Sequence, residues 1–159
     1  METRIAVLGP NECSEAEYAL GVAVGQELAR QGCVVVCGGL GGMMEAAARG
    51  AKSNGGMTVG ILPGADAREA NEFIDVPLPT GLGAFRNMLV VRSADAVIAI
   101  EGKYGTLSEI AFALRLNVPV IGLNTWTLSK DGRVDPGILV AKTPREAVEL
   151  ALQKARGAL

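Results

Sequence analysis

Residues 33–53 decide the fold: Cys33-Val34-Val35-Val36-Cys37, then Gly38-Gly39-Leu40-Gly41-Gly42, then Met43 to Ser53 (MMEAAARGAKS). Five successive apolar residues ended by glycines mark a short strand covered on both faces. The alanine-rich stretch behind the glycines has helical propensity. Strand, glycine loop and helix in immediate succession make one βα unit of a parallel sheet.

The same unit recurs in both directions. Upstream, Arg4 to Leu8 (RIAVL) is a strand stopped by Gly9-Pro10-Asn11. Ser14 with Glu17 three residues on is a capping box, opening a helix that runs to Gln31 and closes at Gly32. Downstream, Thr58 to Leu62 (TVGIL) is a strand ended by Pro63-Gly64, and residues 65 to 84 are polar and glycine-rich with a short strand over Phe73 to Val76. Ala84 to Ser93 reads as a helix, Ala96 to Ile100 (AVIAI) as a strand, Glu101 to Gly105 as a tight loop, and Thr106 to Leu116 as a helix. Pro119 to Leu123 is a strand, residues 124 to 137 are a polar connection, and Ile138 to Ala141 is a last strand. Thr143-Pro144-Arg145-Glu146 supplies a cap, a first-turn proline and an acid for the closing helix, which runs to about Arg156. The alternation predicts one α/β domain of Rossmann-like type over residues 1–159, a parallel sheet with helices on both faces.

Composition narrows the function. Aromatics are 4% of the chain, so the core is aliphatic. The 21 glycines cluster, which points to loops where backbone approaches a ligand. A net charge of −2 with no basic run argues against nucleic acid as a partner. No apolar run has the length of a membrane span, and no signal peptide is visible, so the expectation is a cytoplasmic protein. There is no histidine, which removes His-based zinc sites and Ser-His or Cys-His nucleophiles; no metal site is expected. Cys33 and Cys37 stand at two ends of one strand, ~13 Å apart, too far for a disulfide. With Cys13 they read as reduced thiols.

Ligands of such sheets bind beyond the carboxyl ends of the strands, where strand order reverses. Three strand-to-helix loops there carry glycine: Gly9-Pro10, Gly38 to Gly42, and Gly102 to Gly105. Each precedes a helix whose first amides are free to hold an anion. The spacing is neither a dinucleotide fingerprint nor a Walker loop. Gly9, Pro10, Gly39, Gly41, Gly42, Met43, Gly102, Lys103, Tyr104, Gly105 and Thr106 are the candidate binding residues. Gly38 suits ligand contact and close packing equally. Thr106-Leu107-Ser108-Glu109 is itself a capping box, so spacing alone makes Glu109 a cap before a catalyst. Arg86 opens a helix, where the dipole disfavours a cation, which hints at a ligand.

The stretches Cys37 to Ala46, Gly60-Ile61-Leu62-Pro63, Arg86-Asn87 and Gly102-Lys103-Tyr104-Gly105-Thr106-Leu107-Ser108-Glu109 together resemble the LOG-like superfamily, long labelled "possible lysine decarboxylase". The resemblance spans about residues 5 to 125 and implies a homo-oligomer, a dimer or tetramer. LOG enzymes are nucleoside 5′-monophosphate phosphoribohydrolases with an Arg and a Pro-Gly-Gly-x-Gly-Thr-x-x-Glu segment. The resemblance implies that Gly102, Gly105 and Thr106 hold a phosphate and that Arg86 and Glu109 flank the N-glycosidic bond as catalytic residues. Glu101 stands in place of the Pro, Lys103 in place of the second Gly, and Asn87 in place of a Lys. The Arg-Asn pair and the short chain bring it nearer the branch of molybdenum-cofactor carrier proteins, which bind a phosphorylated pterin. The expected function is therefore a carrier of a phosphorylated heterocycle, molybdenum cofactor or a nucleotide monophosphate, with phosphoribohydrolase as the alternative. Lysine decarboxylase chemistry is disfavoured, because nothing marks a cofactor-linked Lys.

Overall fold

The computed structural model describes residues 2–157. Its elements are β1 (Arg4–Leu8), α1 (Glu15–Arg30), β2 (Val34–Cys37), α2 (Met43–Ser53), β3 (Thr58–Leu62), β4 (Val76–Pro79), α3 (Arg86–Arg92), β5 (Ala96–Ile100), α4 (Tyr104–Arg115), β6 (Val120–Leu123), β7 (Ser129–Lys130), β8 (Arg133–Val134), β9 (Ile138–Ala141) and α5 (Pro144–Gly157). Seven strands form one sheet in the order β4-β3-β2-β1-β5-β6-β9, and every pairing is parallel. The expected Rossmann-like α/β fold is the one observed.

Alternation along each strand divides the core. Ile5, Val7, Val35, Ile98 and Ile100 face α1, α2 and α5, while Ala6, Leu8, Val36, Val97 and Ala99 face α3 and α4. The Ser14 box closes as expected: the Glu17 amide donates to Ser14 Oγ at 3.2 Å and the Ser14 amide donates to Glu17 Oε2 at 2.7 Å. The Glu146 amide likewise donates to Thr143 Oγ1 at 3.1 Å.

Three local readings shift. The edge strand lies at Val76–Pro79 rather than Phe73–Val76. Its two prolines are tolerated because the outer side of an edge strand needs no amide donor. Residues 124–137 are not wholly irregular: β7 and β8 form a small antiparallel hairpin turning at Asp131-Gly132. Several glycines serve helix packing rather than loops. A methyl on Gly25 would lie 2.0 Å from Ala47 O, and one on Gly50 would lie 2.0 Å from Val22 O, so α1 and α2 touch backbone to backbone.

The chain runs outward from β1 to β4, then restarts beside β1 with β5 and runs the other way. The reversal between β1 and β5 opens a crevice at their carboxyl ends, the expected ligand position in such sheets.

Candidate functional site

A cleft of about 560 Å³ occupies that crevice. The loop after β1 contributes Gly9, Pro10, Asn11 and Glu12, the segment after β2 contributes Gly38, Leu40 and Met44, and α3 contributes Arg86 and Asn87. Lys103, Gly105, Thr106 and Glu109 come from α4 and its entry. The turns after β1, β2 and β5 thus meet at one opening.

α4 begins two residues before the expected Thr106, with Lys103 as its N-cap and no side-chain cap. Its first internal bond runs from the Leu107 amide to Lys103 O at 3.0 Å. The amides of Tyr104, Gly105 and Thr106 are therefore left without helical partners. A methyl on Gly105 would meet nothing within 4 Å, so the space above this turn is open. Thr106 is only 4% exposed, yet its hydroxyl makes no hydrogen bond among the described residues and its side chain lines the opening. Free amides, one hydroxyl and the positive end of a helix are groups that can cradle an anion.

The earlier helix start also corrects the capping reading of Glu109. Six residues beyond the N-cap, its carboxylate is past the amides it would need to cap. It makes no hydrogen bond and no ion pair within 4 Å among the described residues. Burial pushes the Glu109 carboxyl up to about 7, against the opposing attraction of Arg86.

Arg86 is 9% exposed and serves as a clamp. Its Nε donates to Ile61 O at 2.8 Å, Nη2 to Gly38 O at 3.3 Å, and Nη1 to Asn87 Oδ1. Those bonds tie the ends of β2 and β3 to α3, and with a further Nη2 contact to Met44 Sδ at 3.7 Å they leave one of the five guanidinium hydrogens for a ligand. Burial pulls the Arg86 pKa down, while Glu109 and then Cys37 oppose that shift. A methyl on Gly38 would sit 2.6 Å from Arg86 Nη2 and 2.5 Å from Met44 Sδ, so Gly38 makes room for the guanidinium.

Of the candidate binding residues, Gly9, Pro10, Lys103, Gly105 and Thr106 line the cleft; Gly39, Gly41, Gly42, Met43, Gly102 and Tyr104 do not. Met43 is fully buried and its amide donates to Pro10 O at 2.9 Å, so α2 offers the cleft one free amide fewer than expected. Gly42 and Gly39 adopt positive φ and pack on Pro10–Asn11 and Leu62. The cleft is also lined by Asn11, Glu12, Leu40, Met44 and Pro63, which are not among the candidate residues: Asn11 and Glu12 directly follow Gly9-Pro10, Leu40 lies inside the Gly38 to Gly42 loop, and Met44 and Pro63 fall in the motif stretches that carry the LOG-like resemblance. Glu101 has φ +52°, which proline cannot adopt, so its departure from the LOG pattern goes with a different backbone turn.

A family model described as the SLOG cluster4 family matches residues 2–148. The chain belongs to the SLOG cluster4 family. Among relatives of this SLOG cluster4 protein, an uncharacterized protein of Archaeoglobus fulgidus is 43% identical over 149 residues, 94% of each chain. A probable cytokinin riboside 5′-monophosphate phosphoribohydrolase of Oryza sativa subsp. japonica is 34% identical over 80% of the chain, which spans 54% of that enzyme's length. Among solved structures, the molybdenum cofactor binding protein of Rippkaea orientalis superposes with a TM-score of 0.87 at 33% identity, covering 96% of this chain and 97% of that one. The molybdenum cofactor carrier protein of Chlamydomonas reinhardtii gives 0.86 at 29%, covering 98% and 99%. The LOG-like resemblance seen in the motifs is thereby established, with molybdenum cofactor carriers as structural neighbours.

Proposed function

We propose that this protein binds and carries a phosphorylated heterocyclic ligand, molybdenum cofactor or a nucleotide, with its phosphate on the α4 turn. The observation that carries this is the meeting in one cleft of Gly105 and Thr106, whose amides carry no helical hydrogen bond, and of the unpartnered Thr106 hydroxyl. Lys103 adds a cation at the rim. The roughly 560 Å³ of the cleft falls in the range of small-molecule and cofactor sites. A pterin phosphate and a nucleotide share a flat ring system and a terminal phosphate, and full-length similarity to two molybdenum cofactor binders favours the pterin. The Arg86 clamp supports carriage over turnover, because two of its donors hold backbone carbonyls of distant segments in place.

Phosphoribohydrolase is the second reading, favoured by the raised Glu109 carboxyl in the same cleft and by the rice relative. There Glu109 and Arg86 would flank the scissile N-glycosidic bond. Incubation with AMP separates the two. Free adenine and ribose 5-phosphate that vanish in Glu109→Ala and Arg86→Ala would overturn carriage, whereas molybdenum cofactor that co-elutes unchanged with the protein supports it.

The protein works as a homo-oligomer, dimer or tetramer. Of Met88 to Val91, Val90 and Val91 are core, but Met88 and Leu89 are exposed beside Phe85, itself 75% exposed. That apolar face borders the cleft through Ala84 and Asn87. Light scattering tests it, and a monomer would remove it. Three unpaired cysteines fit a reducing compartment, the cytoplasm. No helix among the described residues is long and apolar enough to cross a membrane.

A further inference from the structure

We infer that an anionic ligand enters this cleft together with one proton, taken up from solvent by the Glu109 carboxyl, which makes Glu109 a residue that selects the charge of what binds. The inference rests on the anion cradle at the start of α4.

The geometry begins with helix spacing. Gly105 and Thr106 stand four and three residues before Glu109, which makes these residues neighbours on one face of α4 at the Cβ spacing of about 5–6 Å, and all three line the cleft. A doubly charged group seated on the Gly105 and Thr106 amides puts like charge next to a carboxylate that no donor compensates. Arg86 is the cation facing it from α3, but its guanidinium is engaged with Ile61 O, Gly38 O and Asn87 Oδ1 and forms no ion pair with Glu109. From the loop after β1, Glu12 adds a second acid to the same opening; from the entry to α4, Lys103 adds a cation; from β2, the Cys37 thiol lies fully buried behind Arg86.

With the acids left ionised, the cleft would set two carboxylates against Arg86 and Lys103 before any ligand arrives. Protonating Glu109 removes one negative charge where the ligand brings two. The neutral acid also gains an O–H, which can donate to the ligand in place of repelling it. The carboxyl is already raised toward neutrality by burial, so the proton is available near physiological pH.

Sulfate is the probe, because it keeps both charges from about pH 6 to about pH 8.5 whereas phosphate titrates. Binding is followed by NMR on the amides of Tyr104, Gly105 and Thr106 at constant ionic strength. Affinity is expected to fall about tenfold between about pH 6 and about pH 8.5. The Glu109 carboxyl, followed by its own carbon signal, is expected to titrate at higher pH when sulfate is bound. Glu109→Gln abolishes the slope, and Glu12→Gln keeps it, whatever its absolute affinity. Sulfate bound at these amides with a flat profile, or a slope that survives Glu109→Gln, overturns proton uptake and leaves the carrier reading standing. No response of these amides at any pH overturns both.

Discussion

Replacing Glu109 by Gln should stabilise the protein in neutral and alkaline solution and do nothing in acid. The folded chain holds the carboxyl at about 7 against an ordinary 4.5. At about 1.4 kcal/mol for each tenfold change, that displacement is worth about 3 kcal/mol. Its sign follows from where the proton sits. Below 4.5 the acid is protonated in both the folded and unfolded chain, and there is no cost. As the pH rises from 4.5 to about 7, the unfolded chain releases a proton that the folded chain keeps, so folding is progressively disfavoured. Above about 7 the full cost of a desolvated carboxylate is present, and Gln, which never ionises, escapes it. Urea denaturation should therefore give equal midpoints at about pH 4.5 and a midpoint about 1.5 M higher for the variant at about pH 8, with a slope of about 2 kcal/mol/M. A variant no more stable than the parent at about pH 8, or equally stabilised at both values, would refute the burial argument.

Further expectations follow from the same contacts. Gly38→Ala should lose about 1–3 kcal/mol in urea denaturation and weaken ligand binding, because the new methyl displaces Arg86 and Met44; a parent-like midpoint would show that the clamp is not needed. Gly105→Ala should unfold at or slightly above the parent midpoint, since alanine favours the helix by up to about 1 kcal/mol, while losing at least about tenfold in sulfate or AMP affinity to the filled space; unchanged affinity in the same NMR titration would count against the cradle. Cys37, fully buried with its thiol pushed up to about 11, should stay unmodified in a thiol-reagent assay of the folded protein while half-buried Cys13 reacts first. Phe85→Lys should shift the mass seen in light scattering toward the monomer, with the unfolding midpoint of the monomeric fold little changed.

Much of the architecture was legible without coordinates because the signals are local. The Ser14–Glu17 box, the proline opening α5 and the apolar run of β2 each act within a few residues. The loops that meet the ligand were legible for the same reason, since a glycine-bearing turn between strand and helix announces itself. The cleft's exact lining was not. Gly39, Gly42 and Gly102 look identical to Gly105 in sequence, and only their neighbours separate packing from open space.

By itself, the sequence determined the alternation of strands and helices, the caps of α1 and α5 and the set of turns able to present free amides. Those properties depend on side-chain periodicity and on hydrogen bonds spanning three or four residues. Tertiary structure alone decided the strand order that brings three turns to one opening, and the start of α4 that leaves Glu109 uncapped and unpaired. It also decided the fate of Arg86, whose partners lie 25 and 48 residues away in the chain. Burial and charge pairing are set by neighbours from distant segments, and no local pattern records which segments those will be.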